Sequence, residues 1–137
     1  MLVGSANYNP EAAQLALDGN LATRWGSAAP QKPGMEYTIT VLEPDLKLEG
    51  LVYQLGNFVH DKPTELSIEL RLRDGTSRLV LTPDIYDDVI YYLDDNSRIP
   101  IRFAPTNVER IVLRELGSHP IFDWSIAELE IYASPVN

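Results

Sequence analysis

The chain has 137 residues, 45% of them hydrophobic and 23% charged, which suits one globular domain with a closed core and excludes a disordered tail. Lys and Arg total 11 against 20 Asp and Glu, a net charge of −9; such a surface repels phosphate backbones and anionic lipid heads, so neither nucleic acid nor direct membrane insertion is expected. No apolar run approaches the roughly 18 residues of a membrane span, and the absence of cysteine excludes disulfides, a thiol nucleophile and thiolate-bound zinc.

The start, Met1-Leu-Val-Gly-Ser-Ala6, has neither a basic n-region nor an apolar h-region and is not expected to be a signal peptide. Ser5-Ala-Asn7 and Ser134-Pro-Val-Asn137 read as loose ends. One segment looks helical, Pro10-Glu-Ala-Ala-Gln-Leu-Ala-Leu17, with proline near its first position and Asn9 as N-cap. Beyond it, ten prolines and eight glycines punctuate short runs rich in Val, Ile, Leu, Tyr and Thr, the rhythm of short antiparallel strands. Met35, Tyr37, Ile39 and Val41 alternate with polar residues, as do Leu66, Ile68, Leu70 and Leu72, so each set predicts a half-buried strand. Asp74-Gly75 turns the second into Ser77–Leu81. Leu51, Tyr53 and Leu55 predict another strand, Ile99, Ile101 and Phe103 the next, and Ile111 with Leu113 a further one in which Val112 breaks the polar side. Tyr86, Tyr91 and Tyr92 flank an acidic run and are expected to pack on strands. The last strand runs from about Trp124 to Tyr132. There Ile126 is out of phase with Leu129 and Ile131, so either a β-bulge lies near Ala127-Glu128 or Ile126 belongs to the other face. About eight strands and one short helix make an all-β sandwich in a single domain over residues 1–137.

Chemistry concentrates in few places. Asp18-Gly-Asn-Leu-Ala-Thr23 offers oxygen side chains around a glycine; read alone it is either a plain turn or a loop able to wrap a hard cation, which wants six to eight oxygens at about 2.3–2.6 Å. It lacks the acidic spacing of an EF-hand. Zinc-hydrolase, P-loop and Gly-x-Ser-x-Gly motifs are absent. Asp87-Asp88 and Asp94-Asp95 are paired carboxylates, but neighbours in an extended chain point opposite ways and cannot flank one bond, so a solvated acidic loop is expected and no enzyme.

Ala16-Leu-Asp-Gly-Asn-Leu-Ala-Thr-Arg-Trp25, followed by Ser27 and Met35–Val41, resembles the opening of discoidin domains, also called coagulation factor type C domains, which include the family 32 carbohydrate-binding modules. Glu109-Arg-Ile-Val-Leu-Arg-Glu-Leu116 and Trp124-Ser-Ile-Ala-Glu-Leu-Glu-Ile-Tyr132 are similar to that family's ending, and Pro63, Leu66–Leu72 and Asp74-Gly75 fit its middle loosely. The resemblance implies a jelly-roll β-sandwich with galactose-binding-domain topology. It also implies a structural Ca²⁺ held by the side chains of Asp18, Asn20, Thr23 and Glu128 and the carbonyls of Leu15 and Ala127. Recognition is expected from loops at one end of the sandwich, where an aromatic face meets planar polar groups: Gly56–Pro63 with Asn57, His60 and Asp61, and Gly117–Trp124 with His119 and Phe122. Sugar-binding relatives carry an arginine in the first loop; here none is present, and Lys62 is the only basic residue of the two loops. Phe58 and Trp124 are also candidates to plug the core, and Trp25 to pack beneath the cation-like loop. The expected function is a non-catalytic carbohydrate-binding module recognising a glycan, extracytoplasmic, and joined to other domains of a parent chain. The alternative is a protein-interaction or structural domain of the same fold.

Overall fold

The computed structural model describes residues 1–92 and 97–135. Ten strands follow in order: β1 (Leu2–Ala6), β2 (Trp25–Pro30), β3 (Met35–Val41), β4 (Leu48–Gln54), β5 (Leu66–Leu72), β6 (Ser77–Leu81), β7 (Arg98–Thr106), β8 (Val108–Glu115), β9 (Asp123–Ile126) and β10 (Glu128–Ala133). They form a five-stranded sheet, β1-β3-β8-β5-β6, a three-stranded sheet, β10-β4-β7, and the pair β2-β9, with every pairing antiparallel. One continuous apolar core draws side chains from all three, so the fold is a jelly-roll β-sandwich.

The alternation in the sequence becomes burial. Met35, Tyr37, Ile39 and Val41 all point into the core from β3, as do Leu66, Ile68 and Leu70 from β5, while Leu72 is half-buried at the strand's end. Leu51, Tyr53, Leu55, Ile99 and Ile101 line the opposite wall, with Phe103 half-buried. Val112 is buried although it faces outward. Its strand is flanked on both sides, by Thr38 of β3 and Glu69 of β5 in register, and the Arg114–Glu36 and Arg114–Glu69 ion pairs draw long side chains across that face. Asp74-Gly75 makes the expected hairpin: Gly75 takes a left-handed φ of 89°, and the Asp74 carboxylate accepts the Thr76 N–H at 2.9 Å.

Several expectations are corrected. The described residues form ten strands where about eight are expected: Trp25–Pro30 is a strand, the last strand divides in two, and the amino-terminal residues pair with β3 (Leu2 opposite Val41, Ala6 opposite Tyr37) and are no loose end. The carboxyl end is tied as far as the Ser134 N–H, which donates to Lys47 O at 2.8 Å. Pro10–Leu17 is a 3₁₀ helix, and Asn9 does not cap it. Asn9 sits at φ 48° and spends its side-chain amide on the Gly26 carbonyl, 2.8 Å away. A second helix, α1 (Pro83–Tyr92), occupies the acidic tyrosine run. Asp87 and Asp88 therefore lie on a helix and not in a loop, and of the three tyrosines only Tyr86 is buried, its hydroxyl donating to Pro63 O at 2.5 Å. Tyr91 and Tyr92 stay exposed, packed edge-to-face on each other instead of on strands. Asp94-Asp95 lies outside the described residues. The last strand is two strands: β9 pairs with β2 and β10 with β4, and Ala127 is the step between the sheets. Trp124, Ile126 and Leu129 are all buried because the phase changes there. Among the described residues no helix is long and apolar enough to cross a membrane.

Candidate functional site

Two loops meet at one end of the sandwich, and two buried polar residues hold them. Gln31 is 2% exposed. Its side-chain amide donates to Lys62 O at 2.9 Å and Asp123 O at 3.0 Å, and its oxygen accepts the Thr64 N–H at 2.9 Å. Its backbone adds a bond to Phe122 O and one from His119 N–H. Glu115, fully buried, accepts from the backbone N–H groups of Thr64, Glu65 and Gly117 and from the Thr64 hydroxyl, at 2.9–3.1 Å. Every polar atom of these two side chains is thus satisfied by loop groups, which fixes one loop against the other.

On this frame stand three rings. The Phe122 ring, on a residue 37% exposed, lies 5.4 Å from the His60 ring with 20° between planes, and 4.9 Å from the His119 ring at 39°. His119 Nδ1 accepts the N–H groups of Ile121 and Phe122, each at 3.0 Å. That leaves the neutral ring its hydrogen on Nε2, a donor free of the loop's own bonding. The rings border a cleft of about 340 Å³ whose far wall comes from α1, through Tyr86, Asp87 and Ile90, with Lys62 and Thr64 between. The structure therefore brings His60, His119 and Phe122 together. Asn57 is exposed but does not line this cleft. Asp61 faces the other way: its Oδ2 accepts the Ser125 hydroxyl at 2.6 Å and pairs with Arg24 at 3.2 Å. Arg24 also donates to Ser125 Oγ and lies over the Phe58 ring, 4.9 Å from its centroid. So an arginine does reach the first loop, but from the segment before β2 and committed inward. Phe58 is half-buried beneath it, while Trp124 and Trp25 meet edge-to-face in the core.

The second cluster is the Asp18–Thr23 loop. Asp18 Oδ1 accepts the Asn20 N–H at 2.9 Å, Asn20 Oδ1 the Ala22 N–H at 2.9 Å, and Thr23 Oγ1 donates to Asp18 Oδ2 at 2.5 Å. Glu128 reaches the loop from the first position of β10, accepting the Gly19 N–H at 3.0 Å. Leu15 lies in the 3₁₀ helix just ahead and Ala127 in the step just before Glu128. Gly56, at φ 55°, seats the loop: a Cβ there would stand 2.7 Å from the Leu21 carbonyl oxygen and 3.3 Å from the Ala127 Cβ. Two carboxylates are forced together. Desolvation first, then the charge of Asp18 and a hydrogen bond with it, push the Glu128 carboxyl up to about 7, against the opposing Gly19 N–H. The Thr23 hydroxyl and Asn20 amide hold Asp18 below its usual value. Among the described residues no three His, Cys, Asp or Glu gather around one point. A cation here would therefore be held by two carboxylates supplemented by neutral oxygens, a donor set that suits a hard ion.

No family model matches the chain, and no curated protein does. Solved structures do. The family 32 carbohydrate-binding module of Clostridium perfringens NanJ, solved with galactose, superposes with a TM-score of 0.72 at 20% identity over 96% of this chain and 93% of that one. A family 32 module of a C. perfringens family 89 glycoside hydrolase, solved with GalNAc-β-1,3-galactose, gives 0.72 at 17% identity over 96% and 95%. A family 89 glycoside hydrolase chain from the same organism matches at 0.67 and 16% identity, over 98% of this chain but 14% of that one. The chain thus has the discoidin-like fold of family 32 modules over nearly its whole length.

Proposed function

We propose that the domain is a non-catalytic carbohydrate-binding module whose loop-end cleft holds one sugar ring, and that it serves a parent enzyme outside the cytoplasm. The observation that carries this reading is the cluster of His60, Phe122 and His119 beside a polar-walled cleft. An exposed aromatic face accepts the apolar C–H patch of a pyranose, His119 Nε2 donates to one hydroxyl, and Lys62 and Asp87 stand ready to read others. The modules of the same fold solved with galactose and GalNAc-β-1,3-galactose support a saccharide as the ligand, and the match inside a much longer hydrolase supports a parent chain. The inward commitment of Asp61 and the position of Asn57 outside the cleft remove two expected hydroxyl contacts, and this is what favours the second reading, a protein-interaction domain. Phe122→Ala is expected to weaken sugar binding tenfold or more in calorimetry, about 1.4 kcal/mol, with the melting temperature unchanged. Unaltered affinity in that variant would remove the ring from the site.

We further propose that Ca²⁺ occupies the Asp18–Thr23 loop, held by Asp18, Asn20, Thr23 and Glu128 with the carbonyls of Leu15 and Ala127. The ion would neutralise the Asp18–Glu128 repulsion and pin the loop to β10; it supplies no reaction. A ligand that binds only the folded state stabilises it by about 2.7 kcal/mol at a hundred times its Kd. Adding Ca²⁺ should therefore raise the melting temperature, and Asp18→Ala should abolish the rise. The pH dependence has a definite sign. In the ion-free fold Glu128 keeps its proton up to about 7, against an ordinary 4.5. That contribution to stability is complete below 4.5 and lost as pH rises through about 7. Calcium-free protein should melt higher at acid than at alkaline pH across that window. The stabilisation by Ca²⁺ should grow in the same direction, because the ion competes with the proton. A melting curve indifferent to both ion and pH would contradict the site.

A further inference from the structure

We propose a second saccharide site on the outer face of the three-stranded sheet, separate from the loop cleft, that takes a carboxylate-bearing sugar unit. The register puts three cross-strand rows on that face: Glu128–Gln54–Arg98, Glu130–Val52–Pro100 and Tyr132–Gly50–Arg102. The alternate residues Leu51, Tyr53, Ile99, Ile101 and Leu129 are buried in the core. The third row has no side chain at its centre, and the backbone keeps it so: a Cβ on Gly50 would stand 2.8 Å from the Ile101 carbonyl oxygen. The result is a groove of about 310 Å³ between Tyr132 and the two arginines, within the usual range of roughly 300–1,000 Å³ for small-ligand sites.

The chemistry of this groove is specific. Val52 and Pro100 give it an apolar bed, on which the C–H face of a sugar loses no hydrogen bonds. Tyr132 is 44% exposed and held in place by donating its hydroxyl to Glu130 at 2.6 Å, with Arg98 close enough to influence it. Glu49, also on the rim, offers an acceptor for hydroxyls. Arg102 is exposed and makes neither ion pair nor hydrogen bond among the described residues, in a chain with nearly twice as many acidic as basic side chains. An exposed guanidinium lining a groove whose central position carries no side chain can offer its donor fork to a carboxylate, which it binds in bidentate fashion. Pro100 also borders a neighbouring depression with Val89 and Tyr92 of α1, so the groove has room beyond one unit. A uronate within a glycan chain meets all of these features. The site stands on its own residues and does not require the loop cleft to bind.

The test is an amide-shift titration of the intact domain with trigalacturonate and, separately, its methyl ester. Trigalacturonate should move amides within 49–52, 98–102 and 130–132. Arg102→Gln and Tyr132→Ala, both exposed and outside the core, should each weaken it about tenfold, the ester should bind correspondingly worse, and Phe122→Ala should leave it unchanged. Shifts confined to 57–64 and 118–123, equal binding of acid and ester, the same shifts from acetate alone, or no shift at millimolar concentration would each overturn the site. None of these results alters the test of the loop cleft with neutral sugars.

Discussion

Glu115→Ala is expected to cost about 3–5 kcal/mol in chemical denaturation and to separate the two loops that flank the cleft. The carboxylate lies wholly inside the protein and accepts four hydrogen bonds. Of its donors, the Thr64 N–H keeps a partner in Gln31, but the N–H groups of Glu65 and Gly117 lose theirs. An orphaned buried donor costs about 1–3 kcal/mol, and the missing side chain leaves a hole besides. Glu115→Gln keeps one acceptor oxygen but turns an amide N–H₂ toward one of the donors, so an intermediate loss is expected. Binding at the cleft should fall in the alanine variant even under conditions where it remains folded, since Gly117 and Thr64 no longer share an anchor. A loss below about 1 kcal/mol would show that Glu115 does not organise this end.

Ile68→Ala should cost about 2–5 kcal/mol, the range for truncating a buried branched side chain. Ile68 is fully buried in β5, opposite Leu113 of β8 on one side and Leu81 of β6 on the other. A five-stranded sheet gives such a position no freedom to collapse onto the gap, so the upper half of the range is expected. Unlike Glu115→Ala, this variant should lower stability without changing the relative affinity of the folded protein for ligand.

The core walls were legible in the sequence because period-two alternation is a local property: Met35 through Val41 and Leu66 through Leu70 carry their own orientation. The phase break after Ile126 was legible too, and it proves to be the step between two sheets rather than a bulge within one. Helix α1 departs from the expectation of strands and one short helix, although its sequence carries a helix signal. Thr82 precedes Pro83 and Asp84, and its hydroxyl accepts the Ile85 N–H at 3.4 Å, while Ile85, Val89 and Ile90 recur at helical spacing. In the candidate site, the three rings are legible from loop composition. The residues that position them are not, because Gln31 acts through partners at least 31 positions away and Glu115, apart from nearby Gly117, through Thr64 and Glu65, 51 and 50 positions away. Glu115 did leave a trace: it shares the inward parity of Ile111 and Leu113, and an acidic residue at a core position of a strand announces a buried network. Nothing in the sequence marks Gln31. The inward turn of Asp61 likewise depends on Arg24 and Ser125, distant in the chain.

We propose that the cleft between the two loops and α1 binds a sugar ring against Phe122. Titrating the domain with galactose, N-acetylgalactosamine and glucose while following backbone amide shifts tests it most directly. Affinity should be weak, about −4 to −7 kcal/mol, since a shallow cleft leaves water competing for every hydroxyl. For at least one sugar the shifts should concentrate at Lys62, Thr64, His119 and Phe122 and along the α1 face around Asp87, with Asp61 moving little because its carboxylate is already bound to Arg24 and Ser125. Silence at these residues across a broad glycan panel, with the fold intact, would contradict the account and leave the cleft to a protein partner.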